Sequence, residues 1–291
     1  MHVRRYRASL LTAATVGALA VSLAIAGPAG ASVPAHHGHP GGGGRRIAAS
    51  PPPGVRTPSI AGATASFSTN WSGYAQAVST AIGPYKAVMS TWKVPTVTEP
   101  KAGDQYSADW VGVDGFSNGT LVQCGTEADN IGGRPVYRAW TEILPANEVV
   151  IPGLTIHPGN KIMAYVKEIS ANRWKMNVTD ETTGVSGGRT VSYTTPMTSA
   201  EVVHERPVVG ASLANLAKTS NVTQDPAFYS TTINTTPTIL LMKAASGATI
   251  YQMFMVNNAG SATIASPSRP DSDNDGFAMA DSATSPPPPS S

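Results

Sequence analysis

Apolar and polar residues alternate with a period of two along several segments of the chain. The side chains of Trp174, Met176 and Val178 would all fall on one face of an extended strand, with polar neighbours on the other face. Residues 162–166 alternate in the same way, and the polar residues 170–172 can turn the chain between the two segments. This pattern predicts a β-hairpin.

Longer apolar runs also have the length of strands. Residues 239–242 and 250–256 are two such runs, and the turn-forming pair Ser246-Gly247 separates them. No stretch keeps the 3.6-residue period of a helix, and residues 213–217, which come nearest, are few. Short strands with frequent turns and no fixed-period repeat predict an all-β fold, either a sandwich or a barrel.

The N-terminus has the features of a secretory signal peptide. Arg4, Arg5 and Arg7 form a basic start, residues 10–26 are apolar, and Ala29-Gly30-Ala31 is a small-residue cleavage site. The apolar run is short for a transmembrane anchor. We therefore predict a signal peptide at residues 1–31 and a secreted, extracellular protein that does not associate with the membrane after cleavage.

The rest of the chain divides by composition into three parts. Residues 32–63 are rich in His, Gly, Arg and Pro and cannot bury a core, so we expect a disordered leader or a propeptide that is removed. Residues 64–284 contain no second linker and are predicted to form one domain. Residues 285–291, with four consecutive prolines, are predicted to form a disordered tail.

Charge and cysteine content exclude several functions. The net charge is only +2 and charged residues make up 13% of the chain, with much of the basic excess in the first 46 residues. We therefore expect no nucleic-acid partner. The single cysteine, Cys124, allows no intramolecular disulfide. We expect a monomer.

Familiar catalytic machinery is missing from the sequence. After the leader only His157 and His204 remain, and neither lies in an H-E-x-x-H motif. There is no D-T-G or D-S-G triplet, and no thiol-peptidase context around Cys124. An enzyme with this sequence would work through carboxylates or amides, and we expect neither a metal nor another cofactor.

Six motifs of the domain stand out because they contain tryptophans, or acidic or amide side chains close to glycine or proline. In chain order they are Thr69-Asn70-Trp71-Ser72-Gly73-Tyr74, Trp92-Lys93-Val94-Pro95, Trp110-Val111-Gly112-Val113-Asp114-Gly115, Leu121-Val122-Gln123-Cys124-Gly125, Tyr137-Arg138-Ala139-Trp140-Thr141-Glu142-Ile143-Leu144-Pro145 and Ser199-Ala200-Glu201-Val202-Val203-His204-Glu205-Arg206-Pro207. Their order and content resemble the glutamic peptidases, the eqolisin family of acid-acting endopeptidases.

This resemblance implies an antiparallel β-sandwich of two packed sheets, of the concanavalin or lectin-like kind, that cleaves polypeptides. It places the catalytic glutamine at Gln123 and the catalytic glutamate at Glu205 rather than at Glu201. The substrate-binding cleft residues that it implies are Trp71, Trp110, Asp114, Trp140 and Glu142. The positions Thr141, Ile143 and Val202 depart from the family pattern, which predicts a changed cleft surface.

A Gln–Glu pair is chemically suited to peptide hydrolysis. A glutamate carboxylate can take a proton from water and pass it to the leaving nitrogen, while a glutamine amide can accept from that water and donate to the oxyanion. An isolated Glu has a pKa of about 4.3, which predicts activity at acidic pH without a metal or a covalent intermediate.

Alternative interpretations remain open at this level. The tryptophans would also suit a non-catalytic, lectin-like sandwich that binds glycans, and Glu142 with Glu205 would suit a glycosidase. Asp114 is alternatively a residue that holds a turn.

The segment Asp271-Ser272-Asp273-Asn274-Asp275-Gly276 resembles the start of a calcium loop, but position twelve is Ser282 instead of Glu, so a polar turn is predicted. The residues Asn70, Asn177, Asn221 and Asn234 each begin an N-x-S/T sequon.

Overall fold

Eighteen β-strands form the architecture of this computed structural model, which describes residues 63–100 and 102–291. No described residue is helical. The strands are β1 (Ala63–Ser68), β2 (Trp71–Val78), β3 (Ala87–Lys93), β4 (Ala108–Val113), β5 (Val122–Ile131), β6 (Arg134–Ile143), β7 (Val149–Val150), β8 (Lys161–Ser170), β9 (Arg173–Asp180), β10 (Val185–Ser192), β11 (Ser199–Glu205), β12 (Val208–Val209), β13 (Ser212–Leu213), β14 (Val222–Ser230), β15 (Ile239–Leu240), β16 (Ala248–Val256), β17 (Thr263–Pro267) and β18 (Phe277–Ala280).

Sixteen of these strands form two packed sheets, as the predicted β-sandwich requires, and β12 and β13 pair in a separate two-stranded sheet. The first sheet has the order β1-β16-β2-β11-β4-β5-β6-β7, and the second has the order β10-β9-β8-β3-β14-β18-β17 with β15 beside β14. Strand β17 pairs with both β16 and β18, so it links the two sheets. Neighbouring strands are antiparallel except for β1, which pairs with β16 in parallel.

The main core lies between the two sheets. It contains buried side chains from both, among them Tyr74, Val111 and Val202 of the first sheet and Trp92 and Trp174 of the second. In strands such as β9 and β11, alternation with a period of two sends every second residue into this core. The prediction of an all-β sandwich is confirmed.

The predicted hairpin is β8–β9. Trp174, Met176 and Val178 are all buried, and Asn172 adopts a φ of 56° in the turn. The apolar run at 239–242 is only partly a strand, because β15 contains just two of its residues and Leu241 and Met242 enter the core from a turn.

Several predictions concern the two ends of the chain. The predicted signal peptide lies outside the described residues, as does the predicted leader except for its last residue, Ala63, which begins β1. Residues 285–291 contain neither helix nor strand, and the hydroxyl oxygens of Ser272 and Ser291 lie within hydrogen-bond distance, at 2.6 Å. Within the described part of the chain, no helix is long and apolar enough to cross a membrane.

Candidate active site

The first sheet has two chemically different faces. Along β11, Ala200 and Val202 point into the core between the sheets, whereas Val203 belongs to a separate apolar cluster on the opposite face. Because side chains alternate along a strand, Glu201 and Glu205 lie on that opposite face with Val203. We call it the outer face of the first sheet.

Gln123 also lies on the outer face. Its neighbours Val122 and Cys124 point into the core between the sheets, so Gln123 must point away from it. The same alternation puts Glu142 of β6 on the outer face, because Trp140 belongs to the outer cluster. The outer face therefore combines acids and an amide with a set of large aromatic rings.

A single row of residues crosses the outer face. In the strand pairing, Glu201 of β11 lies opposite Gly112 of β4, Gly112 lies opposite Gln123 of β5, and Gln123 lies opposite Glu142 of β6. Cα atoms of paired residues are about 5 Å apart, so those of Glu201 and Gln123 are about 10 Å apart. Only Gly112, which has no side chain, stands between them.

The absence of a side chain at Gly112 is required by packing. A Cβ atom there would lie 2.8 Å from the Trp110 ring, 2.9 Å from Leu121 and 3.3 Å from the Cβ of Gln123. These distances are shorter than normal van der Waals contacts. Gly112 therefore keeps the space between the two long polar side chains of the row open.

Glu142 fixes the orientation of the Gln123 amide. The Gln123 Nε2 donates to Glu142 Oε2 at 2.5 Å. A carboxylate only accepts, so the amide nitrogen must face Glu142 and the amide oxygen must face away. That oxygen, Gln123 Oε1, is buried and accepts no hydrogen bond from any described residue.

Glu205 is held by three donors. Asn70 Nδ2 and Trp71 Nε1 donate to its Oε1 at 3.1 Å and 3.0 Å, and Trp110 Nε1 donates to its Oε2 at 2.7 Å. The two indole rings also pack edge to face, with centroids 4.9 Å apart. Trp71 and Trp110, predicted as cleft residues, thus fix Glu205 through their N–H groups.

The structure does not bring Glu205 and Gln123 together. Glu205 pairs with Ala108 on β4 and Gln123 pairs with Gly112, four residues further along the same strand. At about 3.4 Å per residue this is about 14 Å along the strand, in addition to the two strand spacings across it. Glu201, by contrast, lies in the same row as Gln123.

The predicted cleft residue Asp114 holds a loop. Its carboxylate accepts from the backbone N–H groups of Met197 and Thr198 at 2.6 Å and 2.8 Å, from Asn118 Nδ2 at 2.9 Å and from the hydroxyl of Thr195. Asp114 itself adopts a φ of 71°. This geometry matches the turn-holding alternative for Asp114.

Trp140 lies in the next row of the outer face, opposite Gly125. Its side chain is buried, and its Nε1 has no acceptor among the described residues. With Trp71 and Trp110 also buried, the structure offers no exposed aromatic platform of these three for a glycan. Val202 lies in the core between the sheets and the partly buried Ile143 packs against that core, so the predicted effect of these two residues on the cleft surface is wrong.

A buried ion network lies behind Glu205. His204 points the other way along β11 and hydrogen-bonds Asp109 through Nδ1 at 2.9 Å and Asp281 through Nε2 at 3.0 Å. Burial alone would lower the pKa of His204, but the two flanking carboxylates raise it to about 10. The network ties β11 to β4 and to the segment that follows β18.

The sequence alone does not predict the roles of two site residues. Asn70 lies in a motif, but nothing in that motif indicates that it donates to Glu205. Gly112 is important because of the side chains that lie beside it on other strands, and these are not visible in its own motif. Because alternate residues of a strand share a face, the sequence does put Glu201 and Glu205 on the same face of β11. Nothing local in the sequence says which of the two lies in the row of Gln123.

Comparisons with known proteins identify the family and the fold. A family model described as the Peptidase A4 family matches residues 69–273. No curated protein matches the sequence. The fold is similar to that of scytalido-glutamic peptidase solved with a transition state analog inhibitor, at a TM-score of 0.59 and 20% identity, covering 74% of this chain and 98% of that chain.

It is also similar to SCP-B, a member of the eqolisin family solved with the tripeptide Ala-Ile-His, at a TM-score of 0.54 and 19% identity, covering 74% of this chain and 98% of that one. These two likenesses concern the fold. The family match spans more than half of the 291 residues, so the chain belongs to the Peptidase A4 (eqolisin) family and is a hydrolase of the glutamic peptidase type.

Proposed function

We propose that this protein is an endopeptidase that hydrolyses polypeptides at acidic pH with Gln123 and Glu201 as its catalytic pair. The observation that carries the assignment is the row across the outer face, in which only Gly112 separates the two residues. Family resemblance alone had favoured Glu205. The strand register supports Glu201 instead, because Glu205 lies about 14 Å further along the sheet.

The proposed chemistry uses both ends of the Gln123 amide. A peptide carbonyl resists attack, so water must be activated and the developing oxyanion must be stabilised. The Glu201 carboxylate takes a proton from the water and later passes it to the leaving nitrogen. One Nε2 hydrogen of Gln123 is held by Glu142, the other can donate to the oxyanion, and Oε1 can accept from the water.

The pair requires neither a metal nor a covalent intermediate in this scheme. A carboxylate that cycles its proton works best near its own pKa, which is about 4.3 for an isolated Glu. An acidic optimum follows. Both side chains are buried, so a substrate reaches them only when the atoms that cover them move aside.

Glu205 has a different role in this proposal. Its three N–H donors are all buried, and two of them belong to the tryptophans that form the outer cluster. A carboxylate with its lone pairs committed in this way is suited to positioning β2, β4 and β11 relative to one another. We therefore assign Glu205 to the structural support of the site.

The test compares hydrolysis of a denatured protein at acidic pH by the wild type and by Gln123→Ala, Glu201→Gln and Glu205→Gln. The proposal requires a loss of about 10²-fold or more in kcat for Gln123→Ala and Glu201→Gln, in folded protein. Folding is checked by circular dichroism. If Glu201→Gln keeps full activity while folded Glu205→Gln has none, the catalytic glutamate is Glu205, as the family resemblance implies, and our proposal is wrong.

We also propose that the protein is exported and acts as a monomer. The basic start, the apolar run and the small-residue cleavage site at Ala29-Gly30-Ala31 support export. N-terminal sequencing of protein from the culture medium, before and after acidification, locates signal cleavage and any removal of residues 32–63. Sedimentation analysis at several concentrations tests the monomer.

A further inference from the structure

A loop on the second sheet has a feature that peptide hydrolysis does not use. The segment between β17 and β18 reads Asp271-Ser272-Asp273-Asn274-Asp275-Gly276, with acids at positions one, three and five and glycine at six. The loop closes on itself, since Asp271 N donates to Gly276 O at 3.0 Å and Asp275 N donates to Asp271 Oδ1 at 3.1 Å.

A fourth acid comes from a distant part of the chain. Strand β14 changes register with β3 between Gln224 and Ala227, which places Asp225 in an irregular part of the strand. Ala227 N donates to the carbonyl of Asp275 at 2.7 Å, so the loop docks against this irregularity. Carboxylate oxygens of Asp225, Asp271 and Asp275 all lie within 4.8 Å of one another.

One carboxylate oxygen in this cluster is buried without a donor. Asp271 is only 6% exposed, and its Oδ2 accepts no hydrogen bond from any described residue. This oxygen and the Asp225 carboxyl group both lie beside Gly276, because a Cβ atom on Gly276 would lie 2.4 Å from Asp271 Oδ2 and 2.8 Å from the Asp225 carboxyl carbon. A buried anionic oxygen is costly unless a hydrogen bond or a cation compensates it.

The charges around the cluster do not balance. Asp273 lies in the same loop as Asp271 and Asp275 and acts electrostatically on both Asp225 and Asp275. Lys161 acts on Asp225 with the opposite charge, but Lys161 is itself paired with Glu181 at 2.9 Å. The cluster therefore contains more acidic than basic side chains, and a bound cation would balance the charge.

We propose that Asp225, Asp271 and Asp275 form a calcium-binding site that fastens the loop before β18 to strand β14. All the candidate ligands are oxygen atoms, which hard divalent cations prefer. Calcium suits the site better than magnesium, since it accepts several carboxylates in irregular geometry while magnesium demands a near-ideal octahedron and keeps its waters. Asp225 supplies from another strand a ligand that the loop sequence lacks.

The experiment measures thermal unfolding of the full chain at pH 7 after chelator treatment, with and without calcium chloride or magnesium chloride at about 10 mM, which is about ten times the upper end of the Kd range for weak extracellular sites. Saturation well above Kd raises Tm by about 3–10 °C for a domain of this size. Magnesium at the same concentration should give a clearly smaller shift. Isothermal titration calorimetry should give one calcium per chain.

Matched variants localise the effect. Asp225→Asn and Asp271→Asn each remove one ligand charge and should abolish the calcium shift, whereas Asp104→Asn, at an exposed acid elsewhere, should keep it. If Asp271→Asn does not fold, Asp225→Asn decides the result alone. At pH 4 the shift should be lost, since protons then compete for the carboxylates.

No shift and no binding heat in the wild type at pH 7 would overturn the proposal. An undiminished shift in folded Asp225→Asn, or a full shift at pH 4, would also do so. None of these outcomes depends on whether the protein cleaves peptides, since stability and calorimetry are the readouts.

Discussion

Replacing Glu205 by glutamine separates the structural role of this residue from catalysis. The side chain keeps its size and loses its charge. In the folded protein the carboxylate accepts from Asn70 and Trp71 at one oxygen and from Trp110 at the other. A glutamine has one oxygen and one NH₂ group, so at least one of these donors must face another donor.

The expected loss of stability in Glu205→Gln follows from those three hydrogen bonds. A buried donor left without an acceptor costs about 1–3 kcal/mol, and a hydrogen bond to a charged group contributes about 1 kcal/mol more than a neutral one. One lost bond and the weakening of the others give a destabilisation of about 2–4 kcal/mol. For a domain of this size that corresponds to a fall in Tm of about 5–15 °C.

Urea unfolding followed by tryptophan fluorescence measures the change, with an unaltered m-value as the sign that the same folded state is being compared. Glu201→Gln is the matched control, because it makes the same substitution two residues away on the same face and should lose activity with a smaller loss of stability. A Glu205→Gln variant as stable as the wild type but unable to hydrolyse protein would refute the structural role.

Three further results are expected. Glu142→Gln should lower kcat by about tenfold or more with little change in KM, because a glutamine at this position can donate as well as accept and no longer fixes which way the Gln123 amide faces. An unchanged kcat in steady-state assays would remove this positioning role. The raised pKa of His204, about 10, means that its contribution to stability is complete below about pH 6.5 and is lost as pH rises towards 10; its ring resonances in the folded protein should show no titration up to pH 8, and a midpoint near 6.5 would contradict the ion network. Gly112→Ala should lower the free energy of unfolding by about 1–3 kcal/mol, because the added methyl group overpacks against Trp110 and Leu121, and it should also reduce activity. Urea unfolding measures the first effect and the peptidase assay measures the second. A fully active and fully stable variant would show that the space in the row is not needed.

The sequence by itself determined the class of the fold. Alternation with a period of two is local information, and in the hairpin β8–β9 it correctly predicted which side chains are buried. Where the chain is apolar on both sides, as at 239–242, alternation carries no information and the strand was predicted too long. The ordered motifs gave the family, since six segments in sequence are specific even when each one alone is not.

Only the tertiary structure decided which residues of the motifs meet. Glu201 and Glu205 share one strand, one face and one motif, so nothing local distinguishes their distances to Gln123. The pairing of β11 with β4 and of β4 with β5 decides it, and that register is set by contacts between residues far apart in sequence. The same reason applies to Asp225, which is 46 residues before Asp271 in the sequence and yet within 4.8 Å of it, carboxylate to carboxylate, in the folded protein.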